Sequence, residues 1–283
     1  MKVSLVLCTI GRIDSINAVL HSFEAQTYKD FECIIVDQNQ EDILSSIIAS
    51  YKEKFKIIHL RSKVKGLSAN RNLGISKISG DVIAFPDDDC EYLPTTLQEV
   101  IAYFDSHKEV DVLTINFKDP HKESYFINNN STINLDRYNY RPFGISIGIF
   151  IKYRNKNDVQ FDEQLGVGSS FGADEESDLL SSLLEKGYNT NYCGSLYVLH
   201  LVGLPNLSED KLIRRYETYG LGYGALLKKE IVYRRKYRLI LLFIKDTFGR
   251  LIAGFLPVKK RKYYLVSALA RIKGFVLYKK NYD

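Results

Sequence analysis

Apolar runs rich in β-branched residues alternate with helix-spaced segments between residues 2 and 117, and this order constrains the fold most strongly. A strand followed by a helix normally returns to the same sheet as a parallel neighbour. We therefore predict an α/β fold, with a mixed, mostly parallel sheet covered by helices. The strand-like runs are 2–8, 31–37, 56–60, 81–85 and 110–117. The helix-like segments are 13–25, 43–51, 67–78 and 95–104.

Charge is distributed unevenly along the chain, whose formal net charge is +5. Residues 211–283 contain 19 Lys or Arg and 4 Asp or Glu, whereas residues 1–210 contain 20 and 30. From about residue 205 the pattern becomes helical, with basic and aromatic residues interleaved. We therefore expect one domain over residues 1–205 and a basic, aromatic-rich helical extension over residues 206–283.

The basic extension predicts a partner that carries negative charge. An amphipathic helical pair at 211–283 would suit an anionic membrane surface, where each nearby Lys or Arg adds about 1 kcal/mol. A helical lid with a solvated charged face and an oligomer contact are the alternatives. Nucleic acid is not an expected partner, because no recognised nucleic-acid motif accompanies the basic residues.

The cellular compartment is indicated by the cysteines and by the first residues. Four cysteines stand far apart without a CxxC pair, which favours a reducing cytoplasm without disulfides or structural zinc. The first apolar run is short and is interrupted by polar residues, so no signal peptide is expected. No apolar run reaches the roughly 20 residues that a membrane span requires. The sequence therefore predicts a cytoplasmic protein, not an integral membrane protein.

Three consecutive aspartates at 87–89 follow the fourth predicted strand. Ligands of open α/β sheets bind beyond the carboxyl ends of the strands, so this is a candidate site. Carboxylates two residues apart can point at one cation, and few protein ligands suit Mg²⁺ or Mn²⁺ shared with a substrate's phosphates. A solvated acidic turn, or a cap for the helix near Thr95, is the alternative.

Asp37 ends the second predicted strand, where it could hydrogen-bond a ribose or a base, or simply form a turn. The turn after the first strand lacks GxGxxG, and GxxxxGK[ST] is absent from the sequence. NAD binding and P-loop chemistry are therefore not expected. Residues 220–224 are rich in glycine but follow a helical pattern instead of a strand.

Four acids open a helix-like segment that stops at Gly187; they are Asp174, Glu175, Glu176 and Asp178. The helix dipole favours carboxylates in a first turn, which is one explanation. Their mutual repulsion is a cost that a functional base or an acceptor-binding site would justify. His200 ends a strand-like run, and it is either a satisfied histidine or, beside a metal, a ligand.

Taken together, these motifs resemble those of the family 2 glycosyltransferases of the GT-A fold, in the type that assembles bacterial polysaccharides. Such enzymes move a sugar from a nucleotide diphosphate to an acceptor with inversion. The resemblance covers roughly residues 1–200. Its segments are 3–9 with Arg12, 34–37, 66–74, 80–89, and 174–178 with His200.

The resemblance implies roles for individual residues. The donor would be bound by Thr9, Arg12, Asp37, Arg71, Asp87 and Asp88. Mn²⁺ or Mg²⁺ would be the cofactor, with Asp89 as its direct ligand beside Asp87 and His200. Glu176 would be the catalytic base. Glu175 and Asp174 remain alternatives, because the family usually has Glu-Asp where this chain has Glu-Glu. The family often carries Arg where this chain has Ser182, so the usual charge partner of that helix is missing.

The expected function is that of a hexosyltransferase that uses a UDP-sugar and a glycan or lipid-linked oligosaccharide acceptor. The product would be a bacterial surface polysaccharide such as capsule or O-antigen. The transferase domain would be residues 1–205, and the protein would lie at the inner face of the cell membrane. The alternative is a catalytically silent nucleotide-binding or membrane-scaffolding protein on the same fold.

Overall fold

A computed structural model describes residues 1–121, 127, 130–200 and 207–280. The chain divides into two compact units. The first unit comprises Met1–Lys65, Ala69–Phe161 and Leu179–Gly203. The second comprises Gly66–Ser68, Asp162–Asp178 and Leu204–Asp283.

One mixed sheet forms the centre of the first unit. Its strands are β1 (Val3–Thr9), β2 (Phe31–Asp37), β3 (Lys56–Arg61), β4 (Val82–Ala84), β5 (Cys90–Glu91), β6 (Val112–Lys118), β7 (Thr132–Leu135), β8 (Ile149–Lys152) and β9 (Thr190–His200). They are ordered β3-β2-β1-β4-β8-β6-β9-β5, and β7 pairs with β9. Neighbours from β3 to β4 are parallel, as are β6 and β9, whereas β8 runs antiparallel to both its neighbours. The predicted mixed, mostly parallel sheet is confirmed.

Helices lie between the strands where the sequence predicts them. They are α1 (Ile13–Glu24), α2 (Ser45–Tyr51), α3 (Leu67–Ile75), α4 (Thr96–Ser106) and α5 (Glu175–Glu185). Every residue of β1 and β2 is buried, as expected for central strands that are covered on both faces. The helix α1 contributes Ile16, Val19, Leu20 and Phe23 to the core, at the three- and four-residue spacing of one helix face.

The end of α5 follows from its glycine. Gly187 has a φ of 79°, in the left-handed region that L-residues with a Cβ rarely adopt. The Gly187 and Tyr188 amides donate to the carbonyls of Leu184 and Leu183. These two bonds satisfy carbonyls that the last helical turn would leave unpaired, which is the Schellman arrangement. The predicted stop is confirmed.

The second unit contains the helical extension. Its helices are α6 (Glu209–Lys228), which continues into a π-helical turn at Lys229–Tyr233, α7 (Leu239–Phe255) and α8 (Arg261–Leu277). The described part of the extension thus has three α-helices, and the expected pair was wrong in number. Among the described residues, none of the helices combines the length and the apolar character needed to cross a membrane.

Close helix packing explains the glycine-rich run at 220–224. A Cβ on Gly224 would lie 2.0 Å from the Arg271 carbonyl oxygen, and one on Gly220 would lie 2.8 Å from that of Ser267. The glycines of α6 therefore let the backbone of α8 approach, so the run has a packing role. All four cysteines lie in the first unit, where they are free and buried; they are Cys8, Cys33, Cys90 and Cys193.

Candidate functional site

Parallel pairing brings polar residues to one edge of the sheet in the first unit. Thr9 at the end of β1 is paired with Asp37 at the end of β2. Asp87, which follows β4, forms a parallel bridge with Cys8. The candidate residues of these strands therefore meet at the carboxyl ends, where ligands of such sheets bind.

Each of the three aspartates has a polar partner. The Thr9 hydroxyl donates to Asp88 Oδ2 at 2.7 Å, and Arg71 Nη2 donates to Asp87 Oδ1 at 2.9 Å. Asp89 accepts a hydrogen bond from the Arg12 guanidinium, which also lies 3.5 Å from Asp88 Oδ1. The turn at 87–89 therefore collects positive and hydroxyl groups from distant parts of the chain.

His200 joins the aspartates because β9 ends beside β5. Cys90 and His200 are paired across these two strands, and His200 Nε2 lies 3.3 Å from Asp89 Oδ1. One ligand atom each from Asp87, Asp89 and His200 falls within 4.8 Å of the others. Two carboxylate oxygens suit Mg²⁺ or Mn²⁺, and an imidazole nitrogen is better tolerated by Mn²⁺ than by the harder Mg²⁺. The residues present therefore fit a divalent cation.

The alternative role of the aspartates as a helix cap is wrong. The residue at the N-cap of α4 is Thr95, whose side chain makes no capping hydrogen bond. The Leu97 amide in the first turn donates to Gln26 Oε1 at 3.1 Å, so the side chain at that helix end belongs to Gln26 and not to an aspartate.

The charges of this cluster are set by its hydrogen bonds. The hydrogen bond from His200 lowers the pKa of Asp89 to about 2, against the effect of burial and with help from Arg12. The same bond raises the pKa of His200. Burial raises the pKa of Asp88, although Thr9 and Arg12 oppose that shift. Of the two aspartates whose pKa is shifted here, Asp89 is consequently the more readily ionised.

Arg71 is presented by α3 and is almost fully buried. Its guanidinium carbon lies 5.9 Å from the Phe85 ring centroid and 5.2 Å from that of Phe161. A buried guanidinium needs an anionic partner, which Asp87 supplies, and the two rings fix its plane through cation–π contacts. The side chain is thus held in one orientation beside the aspartates.

Asp37 is fully buried and has partners on both carboxylate oxygens. The amide of Asn39 donates to Oδ1 at 2.8 Å, so part of the carboxylate does form the strand-end turn. His59 Nε2 lies 3.1 Å from Oδ2, and Arg61 Nε lies 3.6 Å from it. Sequence reasoning missed His59 and Arg61. The feature that brings these residues to Asp37 is the parallel register of β2 and β3, which pairs Asp37 with Arg61.

The acidic run belongs to the second unit, where one of its members is neutralised. Asp178 is buried, with Lys229 Nζ at 2.7 Å and Arg234 Nη1 at 2.9 Å. Lys229 also contacts Asp162 at 2.6 Å. The π-helical turn that follows α6, with Arg234 directly after it, therefore supplies positive charge to the first turn of α5. These contacts provide the charge partner whose absence Ser182 implied, and they offset the repulsion among the acids.

The other three acids differ in accessibility. Asp174 and Glu175 are buried, whereas Glu176 is half-buried. Asp174 has a φ of 65°, a conformation that Asp tolerates better than most residues, immediately before α5 begins. Tyr219 lies near them: burial raises its pKa, Arg215 opposes the shift, and Glu176 adds to it. Glu176 is therefore the member of this group most able to reach a substrate.

The comparisons with known proteins agree with this architecture. The model of glycosyl transferase family 2 matches residues 4–161. A cholesterol galactosyltransferase of Borreliella burgdorferi is 32% identical over 101 residues, which are 35% of this chain and 28% of that protein. A glucosyl-dolichyl phosphate glucuronosyltransferase of Haloferax volcanii is 28% identical over 112 residues, which are 38% of this chain and 36% of the relative. The matched region thus spans less than two thirds of the length of these relatives.

Solved structures share the fold at low sequence identity. TarS 1–349 of S. aureus in complex with UDP-GlcNAc has a TM-score of 0.60 and 16% identity, covering 97% of this chain and 89% of that chain. The mannosyltransferase PcManGT from Pyrobaculum calidifontis, solved with GDP-Man and Mn²⁺, has a TM-score of 0.63 and 12% identity, covering 98% and 87%. The GT-A-type fold is confirmed. The family model matches more than half of the residues of this chain, and the chain therefore belongs to glycosyl transferase family 2.

Proposed function

We propose that this chain is a hexosyltransferase whose donor is a UDP-sugar. It would transfer the sugar to an acceptor with inversion at the anomeric carbon, and it would use Mn²⁺ or Mg²⁺ as its cofactor. Residues 1–205 form its transferase domain in this proposal. The observation that carries it is the convergence of Asp87, Asp89 and His200 within 4.8 Å, at the carboxyl edge of the sheet. These three ligands suit a divalent cation that also binds a diphosphate.

The donor would be held by residues of the first unit. Asp89, with Asp87 and His200, would hold the divalent cation, which when bound supplies positive charge to the departing diphosphate. The guanidinium of Arg71 would orient the donor, because Phe85 and Phe161 already fix its plane. The nucleoside would lie against Thr9 and Asp37, with Arg12 and Asp88 beside it.

Glu176 would act as the base. In a single displacement, a bond forms between the acceptor oxygen and the anomeric carbon while the bond from that carbon to the diphosphate oxygen breaks. The proton of the acceptor hydroxyl passes to the Glu176 carboxylate, and such transfer typically contributes about 10²- to 10⁴-fold in rate. Its half-buried side chain supports this choice over the buried Glu175 and Asp174.

The acceptor would be a glycan or a lipid-linked oligosaccharide of bacterial surface polysaccharide synthesis, such as capsule or O-antigen. Two of the relatives are named for lipid substrates, cholesterol and a dolichyl phosphate, which supports a lipid-linked acceptor. The enzyme would then work as a peripheral protein at the inner face of the membrane, which it would reach through residues 211–283.

The test is donor binding and hydrolysis by the purified chain. Thermal shift against a panel of UDP- and GDP-sugars, with and without Mn²⁺, should give one donor whose stabilising effect requires the metal. Slow release of nucleoside diphosphate should show the same metal requirement. Asp89→Asn should abolish both effects, whereas the control Asp105→Asn removes an exposed carboxylate of α4 and should leave both unchanged.

Two outcomes would contradict the proposal. Metal-dependent hydrolysis that survives Asp89→Asn with intact folding would remove the cation assignment. Donor binding without metal-dependent transfer or hydrolysis would favour the alternative, a silent nucleotide-binding or membrane-scaffolding protein.

A separate variant tests the catalytic base: Glu176→Gln should abolish transfer but retain donor binding. If Glu175→Gln or Asp174→Asn did so instead, the base would be that residue.

A further inference from the structure

One face of α7 is apolar and exposed along its whole length. Thr247 is the only buried residue of the helix. Five exposed side chains recur at three- and four-residue spacing, which places them on one face. They are Leu241 (74% exposed), Ile244 (46%), Phe248 (55%), Ile252 (61%) and Phe255 (76%). At 1.5 Å per residue this stripe is roughly 21 Å long. We call it the α7 stripe.

Other side chains of α7 attach it to the rest of the second unit. Phe243 stacks on Phe275 of α8, with ring centroids 4.7 Å apart. Asp246 accepts a hydrogen bond from the Tyr223 hydroxyl at 2.9 Å, and Leu239 packs against the cluster that contains Tyr223. These side chains form the face of α7 that packs within the second unit, and the α7 stripe is a separate apolar surface.

The surroundings of the α7 stripe are basic. Lys245 lies within the helix and is exposed, Arg235 precedes it, and a run of exposed basic residues at 259–262 follows it. Between residues 229 and 280 the acids are Glu230 and Asp246. Glu230 is buried and paired with Lys236, and Asp246 is bonded to Tyr223. Both acids are thus engaged within the protein. Lys262 is paired with Glu209 of α6 at 3.1 Å, whereas Arg235, Lys245 and residues 259–261 are exposed basic groups around the stripe.

We propose that α7 lies in the plane of an anionic bilayer. The α7 stripe enters the boundary between headgroups and acyl chains, and the flanking Lys and Arg residues bind lipid phosphates. Charge complementarity selects this occupant: a second copy of the same face would bring two basic rims together, whereas anionic lipids neutralise them. The inference deepens the proposed membrane location, names the inserted face, and is independent of whether the chain transfers sugar.

The sequence offers a direct reporter, because it contains no tryptophan. Phe248→Trp places a single indole on the α7 stripe, and Tyr138→Trp is the matched control at an exposed aromatic position of the first unit. With vesicles of phosphatidylcholine and phosphatidylglycerol, emission of Phe248→Trp should shift to the blue and be quenched by brominated acyl chains. The control should show neither effect. Pure phosphatidylcholine should give a much weaker shift.

Vesicle flotation of the full chain separates the apolar and the charge contributions. Phe248→Ser should weaken binding about tenfold, because one large apolar side chain no longer enters the bilayer. Lys259→Gln with Lys260→Gln should weaken it by about thirtyfold, given the usual contribution of each basic residue. Tyr138→Ser and the exposed pair Lys52→Gln with Lys77→Gln are the controls and should bind like the wild type.

Several results would overturn the inference. Vesicle binding that does not depend on lipid charge, or that Phe248→Ser leaves unchanged, would refute it. A stable dimer in sedimentation velocity that Phe248→Ser dissociates, together with no vesicle binding, would assign the stripe to a second copy. Donor hydrolysis without lipid should be the same in Phe248→Ser and the wild type. Absence of hydrolysis in both, with vesicle binding intact, would count against the proposed transfer and leave this inference standing.

Discussion

Lys229, the first residue of the π-helical turn after α6, contacts two carboxylates in the second unit, and its replacement is the sharpest test of how that unit is held together. The side chain is 11% exposed. Its ammonium lies 2.6 Å from Asp162 and 2.7 Å from Asp178. Lys229→Met keeps most of the apolar stem and deletes the charge, so both acids lose a partner while the packing volume changes little.

The expected loss of unfolding free energy depends on the partners that Asp162 and Asp178 keep in Lys229→Met. Removing one partner from a buried ion pair generally costs about 3 to 5 kcal/mol. Asp178 keeps Arg234, and Asp162 keeps a hydrogen bond from the Tyr278 hydroxyl at 2.6 Å. We therefore expect about 3 kcal/mol, at the lower end of that range.

Urea unfolding followed by circular dichroism measures this loss. The control Lys211→Met removes an exposed lysine of α6 and should change the unfolding free energy by less than about 0.5 kcal/mol. Adding Asp162→Asn to Lys229→Met should recover part of the loss, because Lys229 is the cation paired with Asp162, whereas Asp178 keeps Arg234. A loss below about 1 kcal/mol in the single variant would refute the view that this cluster is a main anchor of the unit.

Four other changes give distinct outcomes. Glu32 is buried; burial alone would raise its pKa, but hydrogen bonds from Lys2 and other groups lower it below the usual 4.5. Its stabilising effect is present above pH 4.5 and is lost as pH falls towards the lowered pKa, so Glu32→Gln should flatten the acid slope of stability in thermal melts. Arg71→Lys should reduce metal-dependent donor hydrolysis about tenfold to a hundredfold with folding intact, because an ammonium lacks the planar fork. Gly224→Ala should cost about 3 kcal/mol in urea unfolding through overpacking against α8. Gly249→Ala, whose Cβ meets nothing within 4 Å, should stabilise α7 by about 0.5 to 1 kcal/mol.

Sequence reasoning succeeded where the signal is local. Periodicity and turn residues place β1 to β4, α1 to α4 and the stop at Gly187, because each depends on neighbours along the chain. The edge of the sheet that collects Thr9, Asp37 and the aspartates at 87–89 also follows, since parallel strands end on the same side.

The features that the sequence did not reveal depend on contacts between distant residues. Lys229 and Asp178 are 51 residues apart, and no pattern in either segment indicates that they pair. The glycines at 220–224 have a packing role that is visible only once α8 lies against them. His59 contacts Asp37 through the register of two strands, which periodicity alone leaves undetermined.

The shielding of the cysteines has a practical consequence. All four are buried free thiols, and burial raises the pKa of Cys8 to about 12. Thiolates are the reactive form, so the native protein should be inert towards maleimides. A single cysteine introduced at an exposed position would then accept a fluorophore or spin label selectively, without first replacing the native ones.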